Sequence, residues 1–396
     1  MTQIQLPKLR KVDHSKPKKK KILLLADDLR MHSGIGTMSK EFVLGTVDKY
    51  DWVQLGAAVK HPEHGKQIDI SADVQKETGV SDAHVKIYAH TGYGNQQVLK
   101  ELLAIERPDA ILHFTDPRFW GWLYDMEAEI RQNIPLMYYN IWDDLPYPHW
   151  NESFYESCDL LMNISRQTNN IVKNVLQKFP KPEWAVQWVP HGSNRKKYFP
   201  ITELHEDWNA YNEWSTNFKK TNDIEFLFFW NNRNIRRKQP ADLILAFNIF
   251  CDKLDPEDAK KCALLMHTQV SDPNGTDLMA VKNAVCPKYK VLFSNQSVDT
   301  RMLNFYYNTA DVTVNIASNE GFGISWNESL HTGTPIINNV TGGLQDGCRF
   351  EDNSGNWIEF DTHFPSNHTG VYKKHANWVK PVFPACQSLQ GSPVTP

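Results

Sequence analysis

The chain has no apolar run long enough to cross a membrane, since a spanning helix needs about 20 such residues. No apolar segment of the signal-peptide kind stands near its start. Its formal net charge is only −3, so the molecule as a whole has no general pull toward nucleic acid or an anionic surface. Cysteine is scarce: six, at positions 158, 251, 262, 286, 348 and 386, with no Cys-x-x-Cys spacing. Free thiols in a reducing compartment are expected, not a disulfide framework. These shortages together point to a cytoplasmic protein. Aromatic residues are plentiful instead, at 12% with thirteen tryptophans. Most should fill cores, and a minority can form stacking surfaces.

The length of 396 residues suits two domains of about 100–200 residues each. Residues 1–20 form a basic, polar tail with Lys16, Lys18, Lys19 and Lys20. It is expected to be solvated, with a peripheral contact to an acidic surface as its functional option. A buried strand follows at Ile22–Ala26. Further strand patterns lie at 52–59, 85–90, 109–115, 136–142, 160–164 and 184–189, with helix patterns at 37–47, 97–106, 120–132 and 165–178. The alternation pauses over 191–222, a polar and aromatic stretch, and resumes at Glu225–Trp230. From there strands at 263–268, 290–294 and 311–317 alternate with helices at 240–253, 299–308 and 325–332. Short apolar strands alternating with helices predict an α/β fold with parallel sheets covered on both faces. Two such series predict two Rossmann-like, doubly wound domains facing a cleft, with ligands at the strands' carboxyl ends.

One loop carries the chemistry. Asn319-Glu320-Gly321-Phe322-Gly323-Ile324 leads from a strand pattern into a helix pattern that contains Glu328, and Gly333-Thr334-Pro335 and Gly342-Gly343 follow. Glycines let the backbone approach a ligand, and the free amides of a helix start favour an anion. Carboxylates on both sides of that turn suit hydroxyls next to a diphosphate.

This segment resembles the C-terminal signature of retaining glycosyltransferases of GT-B architecture, the glycosyl transferases group 1 (GT4-like) family: Glu, seven residues, Glu, with Gly-Phe-Gly after the first. Val189-Pro190-His191-Gly192-Ser193-Asn194 to Phe199 resembles the family's interdomain stretch, with Asn194 where Asp is common. The resemblance covers roughly 21–350. It implies an N-terminal acceptor domain (21–190), an interdomain segment (191–222) and a C-terminal nucleotide-sugar donor domain (223–396). It also implies a last helix crossing back onto the N-terminal domain, whereas the Pro/Ser/Gly-rich stretch before Pro396 shows no helix pattern.

By resemblance, Arg233 and, five residues on, Lys238 bind the donor diphosphate with Gly321, Phe322, Gly323 and Ile324. Asn232 stands where the family has glycine. Glu328 holds the ribose, Glu320 meets the transferred sugar, and His267 and Thr268 lie near the nucleotide. The glycine-rich loop of the first domain is Gly34 and Gly36. The family's His-Asp pair maps to Trp142 and Asp143, so the histidine's role does not transfer, while Asp143 remains a candidate for positioning the acceptor hydroxyl. Tyr147, His149 and Trp150 are the candidate acceptor surface. No convincing Asp-x-Asp metal motif is present, and His61 and His64 lack further ligand partners. The expected site therefore uses no metal and no cofactor, with a nucleoside-diphosphate sugar as co-substrate and a glycan, lipid or protein hydroxyl as acceptor. Asn327-Glu328-Ser329 is a glycosylation sequon inside the proposed donor loop, where a glycan would block the site; this agrees with a cytosolic location. The alternatives are a nucleotide-sugar epimerase of the same architecture and a non-catalytic nucleotide- or glycan-binding protein.

Overall fold

The computed structural model describes residues 18–143, 145–361, 364 and 366–384. Most of the basic tail, Asp144, Cys386 and the Pro/Ser/Gly-rich terminal stretch lie outside the described residues. The five other cysteines are all buried free thiols.

Fourteen strands are described: β1 (Lys20–Asp27), β2 (Tyr50–Ala58), β3 (Gln67–Asp69), β4 (Val85–Thr91), β5 (Ala110–Phe114), β6 (Leu136–Asn140), β7 (Leu160–Asn163), β8 (Val186–Trp188), β9 (Phe226–Asn231), β10 (Cys262–His267), β11 (Lys290–Ser294), β12 (Val312–Asn315), β13 (Ile336–Asn339) and β14 (Val379–Val382). They form an eight-stranded sheet ordered β3-β4-β2-β1-β5-β6-β7-β8 and a six-stranded sheet ordered β11-β10-β9-β12-β13-β14. The short β3 runs antiparallel to β4, and the second sheet is parallel throughout its recorded pairs. By contacts the chain divides into two compact units. One holds the residues up to His113 and Trp120–Leu136, the other Phe114–Phe119 and the chain from Met137 onward.

The apolar runs behave as their sequence requires. Leu23, Leu25, Val53 and Ile87 are fully buried, as are Leu227, Phe229 and Leu264, because parallel strands lie between helices on both faces. In the six-stranded sheet the chain winds from β9 outward to β11, then returns to start again at β12 on the other side of β9. That reversal creates a crevice outside the carboxyl ends of β9 and β12, the expected place for a ligand.

The strands β3 and β14 and the helices Ser71–Thr78, Pro256–Lys261 and Leu278–Val285 were not expected from the sequence, and two further regions differ from expectation. The single helix read over 120–132 is a 3-10 turn (Pro117–Trp120) followed by two one-turn helices, Gly121–Tyr124 and Glu127–Ile130. Gly121 is a weak helix former, and Trp120 and Leu123 are drawn fully into the core. Conversely, the pause at 191–222 contains a helix, Trp208–Thr221, none of whose residues is fully buried. Its stripe of Tyr211, Trp214 and Phe218 packs on the helix Thr300–Thr309, with Tyr211 edge-on to Phe305 at 5.4 Å and Trp214 against Tyr306 at 5.5 Å.

Candidate active site

The crevice between β9 and β12 is built from two turns. After β9 the chain makes a 3-10 turn, Arg236–Lys238. After β12 it runs through Glu320 to Gly323, which takes φ +82° and opens the helix Ile324–His331 without a side-chain cap. That helix start keeps amides available for an anion. Because β9 and β12 are parallel neighbours, the two turns meet: Ser318 N donates to Arg237 O at 2.8 Å. Glu320, 5% exposed, accepts from Arg237 Nη1 at 3.1 Å and pairs with the Lys238 ammonium. Arg237 Nη1 also donates to Asn319 O at 2.7 Å.

Charge in this cluster is strongly coupled. Burial pushes the Glu320 carboxyl up, but Lys238 and Arg237 outweigh it and hold the group down at about 2. Burial lowers the Lys238 ammonium against the pull of Glu320. Asp143 is raised, first by burial and further by Glu320, with Arg237 and Lys238 opposing. The structure brings Glu320, Lys238 and Asp143, three residues singled out separately in the sequence, into one electrostatic cluster, and adds Arg237.

Bare backbone pins the loop. Gly343 N donates to Glu320 O at 2.7 Å. A Cβ on Gly342 would stand 2.0 Å from Glu320 O and 3.2 Å from Asp143 O, and one on Gly321 would stand 2.6 Å from Ile164 Cδ1. Side chains at these positions would force the carboxylate loop outward.

Glu328 is buried beneath the end of β9. Its Oε2 accepts from Tyr307 Oη at 2.7 Å, with Asn231 Nδ2 at 3.5 Å, and burial raises its pKa. His267 Nδ1 lies 2.9 Å from Ser294 Oγ, and burial lowers its pKa. Thr268 is 8% exposed. Arg233 is placed apart from Glu320: its Nε and Nη2 donate to Asp272 at 2.8 and 3.3 Å. Three buried polar atoms, Asn232 Nδ2, Thr268 Oγ1 and Asn319 Nδ2, have no protein partner. They follow the carboxyl ends of the neighbouring strands β9, β10 and β12, and buried polar groups are normally paired.

In the other unit, Gly34 and Gly36 open the helix Gly34–Leu44, capped by Ser33 Oγ accepting from Gly36 N at 2.9 Å. Gly36 is needed for close approach, since its Cβ would stand 2.6 Å from Met31 O, whereas a Cβ on Gly34 meets nothing within 4 Å. Near Asp143, Trp150 is 44% exposed and edge-on to Trp142 at 5.9 Å. The Arg118 guanidinium lies 5.8 Å from the Trp142 ring. His149 is exposed and Tyr147 half-buried.

Sequence reasoning missed Arg237 as the partner of Glu320, because spacing singled out Arg233 within a run of four cations. It missed Tyr307 and Asn231 beneath Glu328 and Asp272 beside Arg233. These are tertiary partners with no local signature.

No family model matches the chain, and no curated protein matches it. Solved structures do match. The α,α-trehalose 6-phosphate synthase from Burkholderia multivorans aligns at TM-score 0.59 and 10% identity, over 83% of this chain and 86% of that one. The sucrose-phosphate synthase from Thermosynechococcus elongatus aligns at 0.59 and 16%, over 83% of each chain. The catalytic domain of starch synthase IV from Arabidopsis thaliana, bound to ADP and acarbose, aligns at 0.57 and 11%, over 86% of each. With its two parallel-sheet α/β domains, the chain has the GT-B fold of these glycosyltransferases.

Proposed function

We propose that the protein is a retaining, metal-independent glycosyltransferase that moves a sugar from a nucleoside diphosphate to an acceptor hydroxyl. The observation that carries this reading is the Glu320–Arg237–Lys238 cluster beside the uncapped helix start. When the donor's bond between the anomeric carbon and oxygen breaks, negative charge grows on the departing diphosphate. Fixed cations and helix amides aimed at that charge lower the barrier. Arg237 and Lys238 supply the charge that a metal supplies in other transferases. Arg233 reinforces the diphosphate on exchanging Asp272 for phosphate. Asn232, Thr268 and Asn319 offer the donor their unpaired polar atoms.

Glu328, held by Tyr307, takes the ribose hydroxyls. Glu320, kept ionised, stabilises positive charge at the anomeric centre. The acceptor hydroxyl attacks on the face the diphosphate leaves. A new bond between the anomeric carbon and the acceptor oxygen replaces the old one, and the hydroxyl proton passes to the departing phosphate oxygen. Asp143 orients that hydroxyl, and Trp150, with Tyr147 and His149, forms the surface that holds the acceptor. Buried free thiols fit a reducing, cytoplasmic location, and among the described residues no helix is long and apolar enough to cross a membrane.

The test is a transfer assay with UDP-, GDP-, ADP- and dTDP-sugars, with EDTA present and a mixed acceptor panel. One donor should be consumed with its anomeric configuration kept. Activity abolished by EDTA and restored by manganese would overturn the metal-free mechanism.

A further inference from the structure

The segment after β8 places His191 against the Glu320 loop. The imidazole is 9% exposed. Its Nδ1 lies 2.9 Å from Tyr139 Oη, which also lies 2.9 Å from Val189 O. A tyrosine hydroxyl has one proton to give and can accept others. With that proton on Val189 O, the Tyr139 oxygen accepts from His191 Nδ1–H, and the ring is locked in one tautomer. Burial pushes the imidazole down to about 3, so it is neutral at working pH.

The same ring stands edge-on to Phe322 at 5.2 Å. Phe322 is 4% exposed and has Trp326 on another side at 5.1 Å, with Trp326 Nε1 donating to Phe322 O at 2.7 Å. Phe322 lies between two glycines, so its side chain is the only large anchor of the turn, two residues from Glu320. Trp326 belongs to the helix that the turn itself starts. His191 reaches the turn from a different part of the chain and is itself tied to β6 through Tyr139.

We propose that His191, oriented by Tyr139, is a positioning residue that fixes Phe322 and through it the Glu320–Gly323 turn in the geometry needed for transfer. This inference rests on the glycosyltransferase reading. It acts more on the reacting geometry than on donor affinity, because His191 meets the turn through Phe322 while the cations Arg237 and Lys238 lie after β9.

The test compares wild type with His191→Phe, His191→Asn, Tyr139→Phe and the double variant with Phe at both positions. Steady-state turnover is measured together with thermal unfolding and calorimetric binding of the nucleoside diphosphate. Displacement of a reacting group by about 1 Å costs roughly a hundredfold in rate. His191→Phe fills the space but cannot bond to Tyr139, and should lower kcat roughly 30- to 100-fold while weakening nucleotide Kd by less than about tenfold. His191→Asn, whose amide can replace Nδ1, should recover most of that loss. Tyr139→Phe should fall between, and the double variant should be no worse than His191→Phe. Wild-type kcat in His191→Phe, or equal losses in the Asn and Phe variants, would overturn the proposal. If His191→Phe does not fold, unchanged kcat in Tyr139→Phe overturns it equally. A wild type that turns over no nucleotide sugar overturns the transferase reading itself, which is a separate result.

Discussion

Each sheet has a turn after its founding strand, β1 or β9, and each turn carries an arginine near a buried carboxylate. After β1, Asp28 is 1% exposed and accepts from Arg30 Nε, Arg30 Nη2 and the Arg30 amide at 2.7–3.0 Å. His61 Nδ1 accepts from Glu63 N at 3.1 Å, so its Nε2 carries the proton and donates to Asp28 at 3.0 Å. Arg30 Nη1 reaches on to Glu63 at 2.8 Å. Across from the turn after β9, Glu320 on the loop after β12 is also paired with Arg237 and Lys238, yet the adjacent Asn319 Nδ2 has no protein partner. The first network is closed and acts as structure. On the proposed reading, the second exchanges partners with the donor. A buried carboxylate with basic neighbours is therefore not by itself a site; the unpaired polar atoms nearby are what favour the donor reading of the second network.

Four substitutions would break or sharpen this contrast. The largest effect should come from Glu320→Gln, which keeps the shape and removes the charge. Transfer should fall by roughly 10²–10³ in kcat, as when a group stabilising transition-state charge is lost. Calorimetry should show nucleoside-diphosphate binding retained or tighter, since repulsion from Glu320 is gone. Next, Arg237→Ala should weaken nucleoside-diphosphate binding by about 2–5 kcal/mol, the range for truncating one partner of a charge pair. On the closed side, Asp28→Asn should cost roughly 3 kcal/mol in denaturant unfolding, because it leaves Arg30 and His61 without their buried partner. Nucleotide affinity should not change.

The smallest effect concerns pH. Asp346 is 7% exposed. Its Oδ2 accepts from Arg166 N at 3.1 Å, while Oδ1 has no partner. Burial pushes its carboxyl up to about 7, with Arg166 opposing and Glu359 assisting. The folded protein then keeps a proton that the unfolded chain releases near about pH 4. This stabilisation is complete below about pH 4 and is lost as pH rises to about 7. Glu320 has the opposite sign: held near 2, it stabilises above the ordinary Glu range and loses that contribution as pH falls toward 2. Thermal unfolding of Asp346→Asn should show a flatter slope between pH 4 and 7 and a higher Tm at pH 8 than wild type. An unchanged slope would assign the pH dependence to other groups.

Much of this architecture could be read from the chain. Runs such as Ile22–Ala26 and Phe226–Trp230 read as strands and form β1 and β9, though Phe226 stays 40% exposed, and the Glu320–Glu328 spacing with its glycines singled out the turn that meets Arg237 and Lys238. Partner choice could not be read. Arg233, Arg236, Arg237 and Lys238 look alike in sequence, and the 3-10 turn after β9 decides which of them reach Glu320. The partners of Glu328 come from β9, the helix Thr300–Thr309 and Tyr198, about 100, 20 and 130 residues away. The Trp208–Thr221 helix was hidden because its aromatic stripe is sparse and only half-buried, and its packing on another helix sustains it.

The most direct test is calorimetric titration of wild type and Lys238→Ala with UDP, GDP, ADP and dTDP, in EDTA. One nucleotide should bind wild type and bind Lys238→Ala at least about tenfold more weakly, the least expected for a lost charge-assisted phosphate contact. Binding of none, or equal binding to both proteins, would contradict the assignment of this crevice as the donor site.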